Sequence, residues 1–105
     1  MKLVGFHPDA DAEVTDAAQY YEVRKAGLGS DLIREVERAL DHILTNPEAS
    51  QQIGRQMRRK HLWRFPYNLI YAVYPDRIRI LACAHQKRRP FYWRKRLKDT
   101  VQYPE

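Results

Sequence analysis

A single cysteine, Cys83, stands among 105 residues, which excludes an intramolecular disulfide and a thiolate zinc site built within one chain. Long apolar runs are missing as well. No stretch approaches the roughly 18 residues that a membrane-spanning helix needs, and the start, Met-Lys-Leu-Val-Gly-Phe-His-Pro, has no signal-peptide core. A soluble, cytoplasmic protein without membrane contact is therefore expected. The four glycines form no phosphate-cradling loop, there is no internal repeat, and His7, His42 and His61 lack metal-ligand spacing. Neither metal nor cofactor is expected. A chain of this length, 44% hydrophobic, can bury one modest core, so residues 1–105 are read as one domain.

Acidic residues are scarce in one half only. Up to Gln52 there are five Lys and Arg against ten Asp and Glu, a balance of −5; from Ile53 onward fourteen basic residues face only Asp76, Asp99 and Glu105, a balance of +11. The chain is electrically polar along its length. A segregated positive half attracts phosphate backbones or acidic protein surfaces, and that attraction weakens with salt.

Hydrophobic periodicity organises the same two halves. Leu3 to Phe6 is a β-prone run ending at His7-Pro8, where proline suits the first turn of a helix. A helix is predicted from about Pro8 to Lys25, with Asp9, Asp11 and Glu13 near its positive end and Ala10, Val14, Ala17 and Tyr21 on one face. Gly27-Leu28-Gly29-Ser30 breaks the chain, with Ser30 expected to cap a second helix. In that helix Leu32, Val36, Ala39, Leu40, Ile43 and Leu44 form the apolar stripe, Glu35 is assigned to the other faces, and Asn46-Pro47 ends it. Three β-type runs follow, Met57–Trp63, Tyr67–Tyr74 and Arg77–His85, and Pro75-Asp76 makes the last two a hairpin. Strict alternation places Ile78, Ile80, Ala82 and Ala84 against the helices. It places Arg77, Arg79, Leu81, Cys83 and His85 on an open face. Pro90 is expected to start a short final helix.

The order strand–helix–helix–strand–strand–strand carries Leu-Trp-Arg-Phe-Pro-Tyr-Asn-Leu-Ile-Tyr (Leu62 to Tyr71) and Ala-Cys-Ala-His-Gln-Lys-Arg-Arg-Pro-Phe-Tyr-Trp (Ala82 to Trp93), with Tyr20-Tyr21 late in the first helix. In this combination the chain resembles the RelE/ParE toxin superfamily of type II toxin–antitoxin, or plasmid stabilisation, systems. The resemblance implies an α+β fold, β-α-α-β-β-β, with a helical hairpin on a small, mainly antiparallel sheet and a short C-terminal helix. It also implies a growth-arresting toxin that a cognate antitoxin wraps and neutralises. One branch of the superfamily cuts mRNA in the ribosomal A site; the ParE-like branch poisons DNA gyrase without nuclease activity. Fold alone does not choose between them.

Metal-free RNA cleavage requires a group that activates the ribose hydroxyl, cations at the phosphate and an acid for the leaving oxygen. His85 is the candidate for acid–base work, with Arg79 on its predicted face and Arg88, Arg89 and Tyr92 nearby, if the chain is a ribonuclease. Ribosome-dependent relatives commonly carry an arginine where Asn68 stands here, and an amide lacks the full charge; this favours the gyrase reading. Arg55, Arg58, Arg59, Lys60, Arg64 and Asn68 are candidate contacts to a nucleic-acid target, since arginine forks suit phosphates. A non-toxic nucleic-acid-binding module is the remaining alternative. The many aromatic residues exceed what so small a core buries comfortably, so an exposed apolar groove for the antitoxin is expected.

Overall fold

The structure, a computed structural model, describes residues 3–101, with side chains as far as residue 98. Its elements run β1 (Leu3–Phe6), α1 (Pro8–Arg24), α2 (Leu28–Thr45), β2 (Gln51–Gln52), β3 (Met57–His61), β4 (Tyr67–Val73), β5 (Arg77–His85) and α3 (Arg96–Val101). The expected α+β order is present, with β2 as an extra two-residue rung. Five strands lie in the order β1-β5-β4-β3-β2. Only β1 is parallel to its neighbour, pairing Leu3–Phe6 with Arg77–Ile80, and the rest of the sheet is antiparallel.

The two helices form a hairpin whose seam rests on a close approach. A Cβ on Gly29 would lie 2.4 Å from the carbonyl oxygen of Ala18, so glycine is required there. Ser30 does not cap α2 as expected. The helix begins at Leu28, three residues earlier than a Ser30 cap would set it, and the carboxylate of Glu22 accepts from the N–H groups of Gly27 and Gly29 at 2.8 and 2.9 Å. An anion supplied from α1 thus meets two of the donors at the start of α2 and ties the hairpin shut.

Glu35 also departs from expectation, because it lies buried, 5% exposed, on the sheet-facing side of α2. Its Oε2 accepts from the backbone N–H groups of Trp63 and Arg64, the latter at 3.0 Å. The turn between β3 and β4 is hung from this carboxylate. Arg64 reaches back toward Asp31 at 3.7 Å.

Two apolar clusters fill the molecule, one on each face of the sheet. Leu32, Val36, Ile43, Leu69, Tyr71, Ile78, Ile80 and Cys83 pack beneath the hairpin, and Ile70, Ala72, Leu81, Ala82, Ala84 and Trp93 pack under the C-terminal segment. Membership changes side partway along β5. Ile70 opposes Ala82 while Tyr71 opposes Ile80, so Leu81 is an extra residue in a β-bulge. Alternation restarts there with the opposite parity. Ala82 and Ala84 therefore face away from the hairpin, and Cys83 faces it, the reverse of the strict alternation expected for this strand.

Beyond Phe6 the outer edge of β5 has no strand beside it. His7 N–H donates to Ile80 O at 2.8 Å, and past that point side chains take over: Cys83 N–H donates to Glu13 at 2.9 Å, and Arg96 donates to Leu81 O at 3.0 Å. An ion pair replaces the missing strand. The segment after β5 runs as turns through Pro90 to Lys95 before α3, so Pro90 does not open the final helix. No helix among the described residues is long and apolar enough to cross a membrane.

Candidate functional site

The turns after β5 fold back across the sheet face opposite the hairpin, anchored by Trp93, which is nearly buried against Ile70, Ala82 and Ala84. Between this cover and the sheet lies a cavity of about 140 Å³, bordered by Arg59, Asn68, His85, Arg88, Arg89 and Tyr92. The fold thus gathers residues from β3, β4 and the tail that lie far apart in sequence.

His85 borders this cavity while its ring packs against Tyr67 of the hairpin side, and Arg55, Arg58, Lys60, Arg64 and Arg79 lie elsewhere. Arg79 opposes Ala72 on the tail-side face, whereas His85, beyond the bulge, sets its ring edge-on to Tyr67 at 5.0 Å on the hairpin side. The expected sharing of a face by Arg79 and His85 is therefore absent, because Leu81 shifts the parity between them. Arg58 turns toward the hairpin and donates to Glu48 O and Ser50 O at 3.0 and 2.8 Å, holding the connection after α2. Arg64 is drawn to Asp31 and lies over the Phe65 ring. Lys60 borders a different depression with Arg38, His42 and Trp63, and Arg55 is exposed in the loop before β3.

Two of the gathered groups are already engaged. The imidazole Nδ1 of His85 accepts from Lys87 N–H at 3.0 Å, fixing the ring against the following turn. Tyr92 donates its hydroxyl to Glu13 Oε2 at 2.8 Å, while the Arg88 guanidinium stacks 3.8 Å from its ring centroid. Burial, then the bond to Glu13, pushes the Tyr92 phenol well above the tyrosine range. Tyr92 holds its proton where a general acid would release it. Burial likewise raises the Cys83 thiol to about 12, with Glu13 adding to the rise, so this cysteine is not a nucleophile.

Two residues that organise the site were not singled out from the sequence. Glu13 accepts from Cys83, Tyr92 and both terminal nitrogens of Arg96, and Arg96 in turn caps the bulge carbonyl. Glu13 had a signal, since it lies one residue from Val14 on the buried side of α1. Its partner had none.

The cavity floor carries two buried polar atoms with no hydrogen-bond partner among the described residues, Asn68 Oδ1 and Arg59 Nε. Arg59 is oriented by Gln51, whose Oε1 accepts from its terminal nitrogen at 2.5 Å. Elsewhere, two shallow grooves mark the surface. One of about 460 Å³ lies along α1 and α2 beside Ala18 and Ile33, and another of about 450 Å³ lies between α2 and β3 beside Trp63, which is 87% exposed. Both mix apolar with charged lining. No group of three or more His, Cys, Asp or Glu able to hold a metal occurs among the described residues.

Comparison with known proteins agrees with this architecture. The family model described as ParE toxin of type II toxin-antitoxin system, parDE, matches residues 4–90. A solved structure titled "Chromosomal ParDE TA system from P. aeruginosa" superposes with a TM-score of 0.61 at 19% identity, covering 81% of this chain and 96% of that chain; the likeness is one of fold. No curated protein matches in sequence.

Proposed function

Since the chain belongs to the ParE toxin family of type II toxin–antitoxin systems, we propose that it arrests growth by binding a nucleic-acid-processing target, DNA gyrase being favoured, and that a cognate antitoxin neutralises it. The observation that carries the non-catalytic reading is the bulge at Leu81. It leaves His85 and Arg79 on opposite faces of the sheet, while Tyr92 and Arg88 are taken up by Glu13 and by each other. An acid–base group and its phosphate clamp must converge within hydrogen-bond reach of one reacting atom. Arg79 is held apart from His85, whose Nδ1 is already taken by Lys87 N–H, and of the arginines only Arg88 and Arg89 border the same cavity as His85. The basic half of the molecule then serves attraction and docking rather than bond cleavage.

The test is a pair of assays on the purified chain. Supercoiling of relaxed plasmid by gyrase is expected to fall with added toxin and to recover when the antitoxin is supplied, while mRNA on translating ribosomes stays intact. Ribosome-dependent cleavage that disappears in His85→Ala would instead make it an endoribonuclease.

A further inference from the structure

Asn68 is 7% exposed, yet its Oδ1 has no hydrogen-bond partner among the described residues, and Arg59 Nε shares that condition. Leaving such atoms buried costs free energy unless something meets them. The register makes them neighbours: Arg59 opposes Ile70 and His61 opposes Asn68, so Arg59 and Asn68 sit diagonally on one face, both at the floor of the tail cavity. An acceptor and a donor thus lie side by side. Arg88 and Arg89 stand on the same cavity, and Tyr92 lends it an aromatic wall.

A bare anion would suit Arg59 but be repelled by the amide oxygen, and an apolar group would satisfy neither. A peptide group offers both a donor and an acceptor but brings no anion for the arginines. A nucleotide brings all three. The cavity, about 140 Å³, lies well below the ~300–1,000 Å³ of drug-sized sites, so a single ring enters and the rest stays outside. We propose that this cavity binds one nucleotide unit, with the donor–acceptor edge of the base on Asn68 Oδ1 and Arg59 Nε and the phosphate on the Arg88 and Arg89 rim. The inference rests on the proposed reading for the target but not for the ligand chemistry, which the isolated chain displays.

Titration calorimetry of the full chain with UMP, AMP and ribose 5-phosphate tests it. Both nucleotides are expected to bind at least about tenfold more tightly than ribose 5-phosphate, the discrimination a paired base edge supplies. Asn68→Ala should erase that gap while leaving ribose 5-phosphate unchanged, and Arg89→Ala should weaken all three alike. In the unmodified protein the Asn68 side-chain amide resonances should move with UMP and not with ribose 5-phosphate, a readout independent of any variant's folding. Equal affinity for UMP and ribose 5-phosphate, a gap that survives in Asn68→Ala, or still amide resonances would overturn the site. A uridine trinucleotide binding far more tightly than UMP identifies an unpaired strand as the source; equal binding identifies free nucleotide, and either upholds the shared chemistry. Absence of gyrase inhibition would leave this site standing, and absence of base-dependent binding would leave the gyrase reading standing.

Discussion

Glu13 and Arg96 meet head-on, both carboxylate oxygens against both terminal nitrogens at 3.0 and 2.9 Å, across 83 positions of sequence. The pair seals the edge of β5 where β1 ends and holds the tail over the sheet. Breaking a fully buried pair by removing one partner costs ~3–5 kcal/mol; these side chains keep 14% and 18% exposure, so Glu13→Ala is expected to cost about 2–3 kcal/mol in urea unfolding. A double-mutant cycle with Arg96→Ala should return a coupling of at least about 1 kcal/mol.

Alkali should unfold the protein earlier than neutral pH stability alone implies. Burial raises the protons of Cys83, Tyr92, Tyr71 and Tyr67 above their ordinary values, foremost among the causes. A proton held more firmly in the folded chain contributes stability that is fully present below the unfolded pKa and is lost as pH rises through the folded one. For Cys83 that window runs from 9.0 to about 12. Circular dichroism is expected to stay level from pH 8 to about 9 and then decline toward pH 12, the decline being shallower above the ordinary tyrosine pKa in Tyr92→Phe, although that variant starts lower for want of the bond to Glu13.

The unsatisfied amide of Asn68 gives a stability prediction of opposite sign. Replacing a buried polar side chain that lacks a partner by an apolar one of similar size removes a desolvation penalty of ~1–3 kcal/mol per group. Asn68→Leu is therefore expected to raise the melting temperature, by about 4–8 °C per kcal/mol at this size. A lowered melting temperature would mean that the amide is held by structure and not kept for a ligand.

Glu35→Ala should release the turn at Trp63 and Arg64. Two N–H groups lose their acceptor, but Trp63 and Arg64 are exposed and water can reach them, so the expected loss is about 1–2 kcal/mol, the lower part of the range for unsatisfied donors. Hydrogen exchange at the Trp63 and Arg64 amides checks the local effect. Both should exchange faster even where global unfolding is rare.

The element order was legible because apolar spacing switches cleanly from helical to alternating after Asn46-Pro47. Strand ends for β5 and the hairpin at Pro75-Asp76 followed from proline and β-branched residues. Arg59, Asn68, His85, Arg88, Arg89 and Tyr92 were singled out from sequence and do share a cavity. The facing of β5 was not legible. Leu81 interrupts the ladder with an ordinary apolar side chain, and nothing in Ile-Leu-Ala-Cys-Ala signals an added residue, since a bulge is a property of the pairing and not of one strand. Glu35 was misplaced for a different reason. It sits three residues after Leu32, on the buried stripe, and a charge there reads as exposed until a partner from the far loop supplies two N–H groups.

The pairing of β1 with β5 has a consequence in time. Leu3 finds its partner only in Arg77, so the sheet cannot be completed while the chain is still short. At ~5–20 residues per second, the first strand waits on the order of 4–15 s for the last to be made, and the Glu13–Arg96 clasp closes later still. During its own synthesis this toxin is an unfinished object, with its basic half appearing last. Any partner that recognises the finished surface therefore has nothing complete to bind until Arg96 has been made.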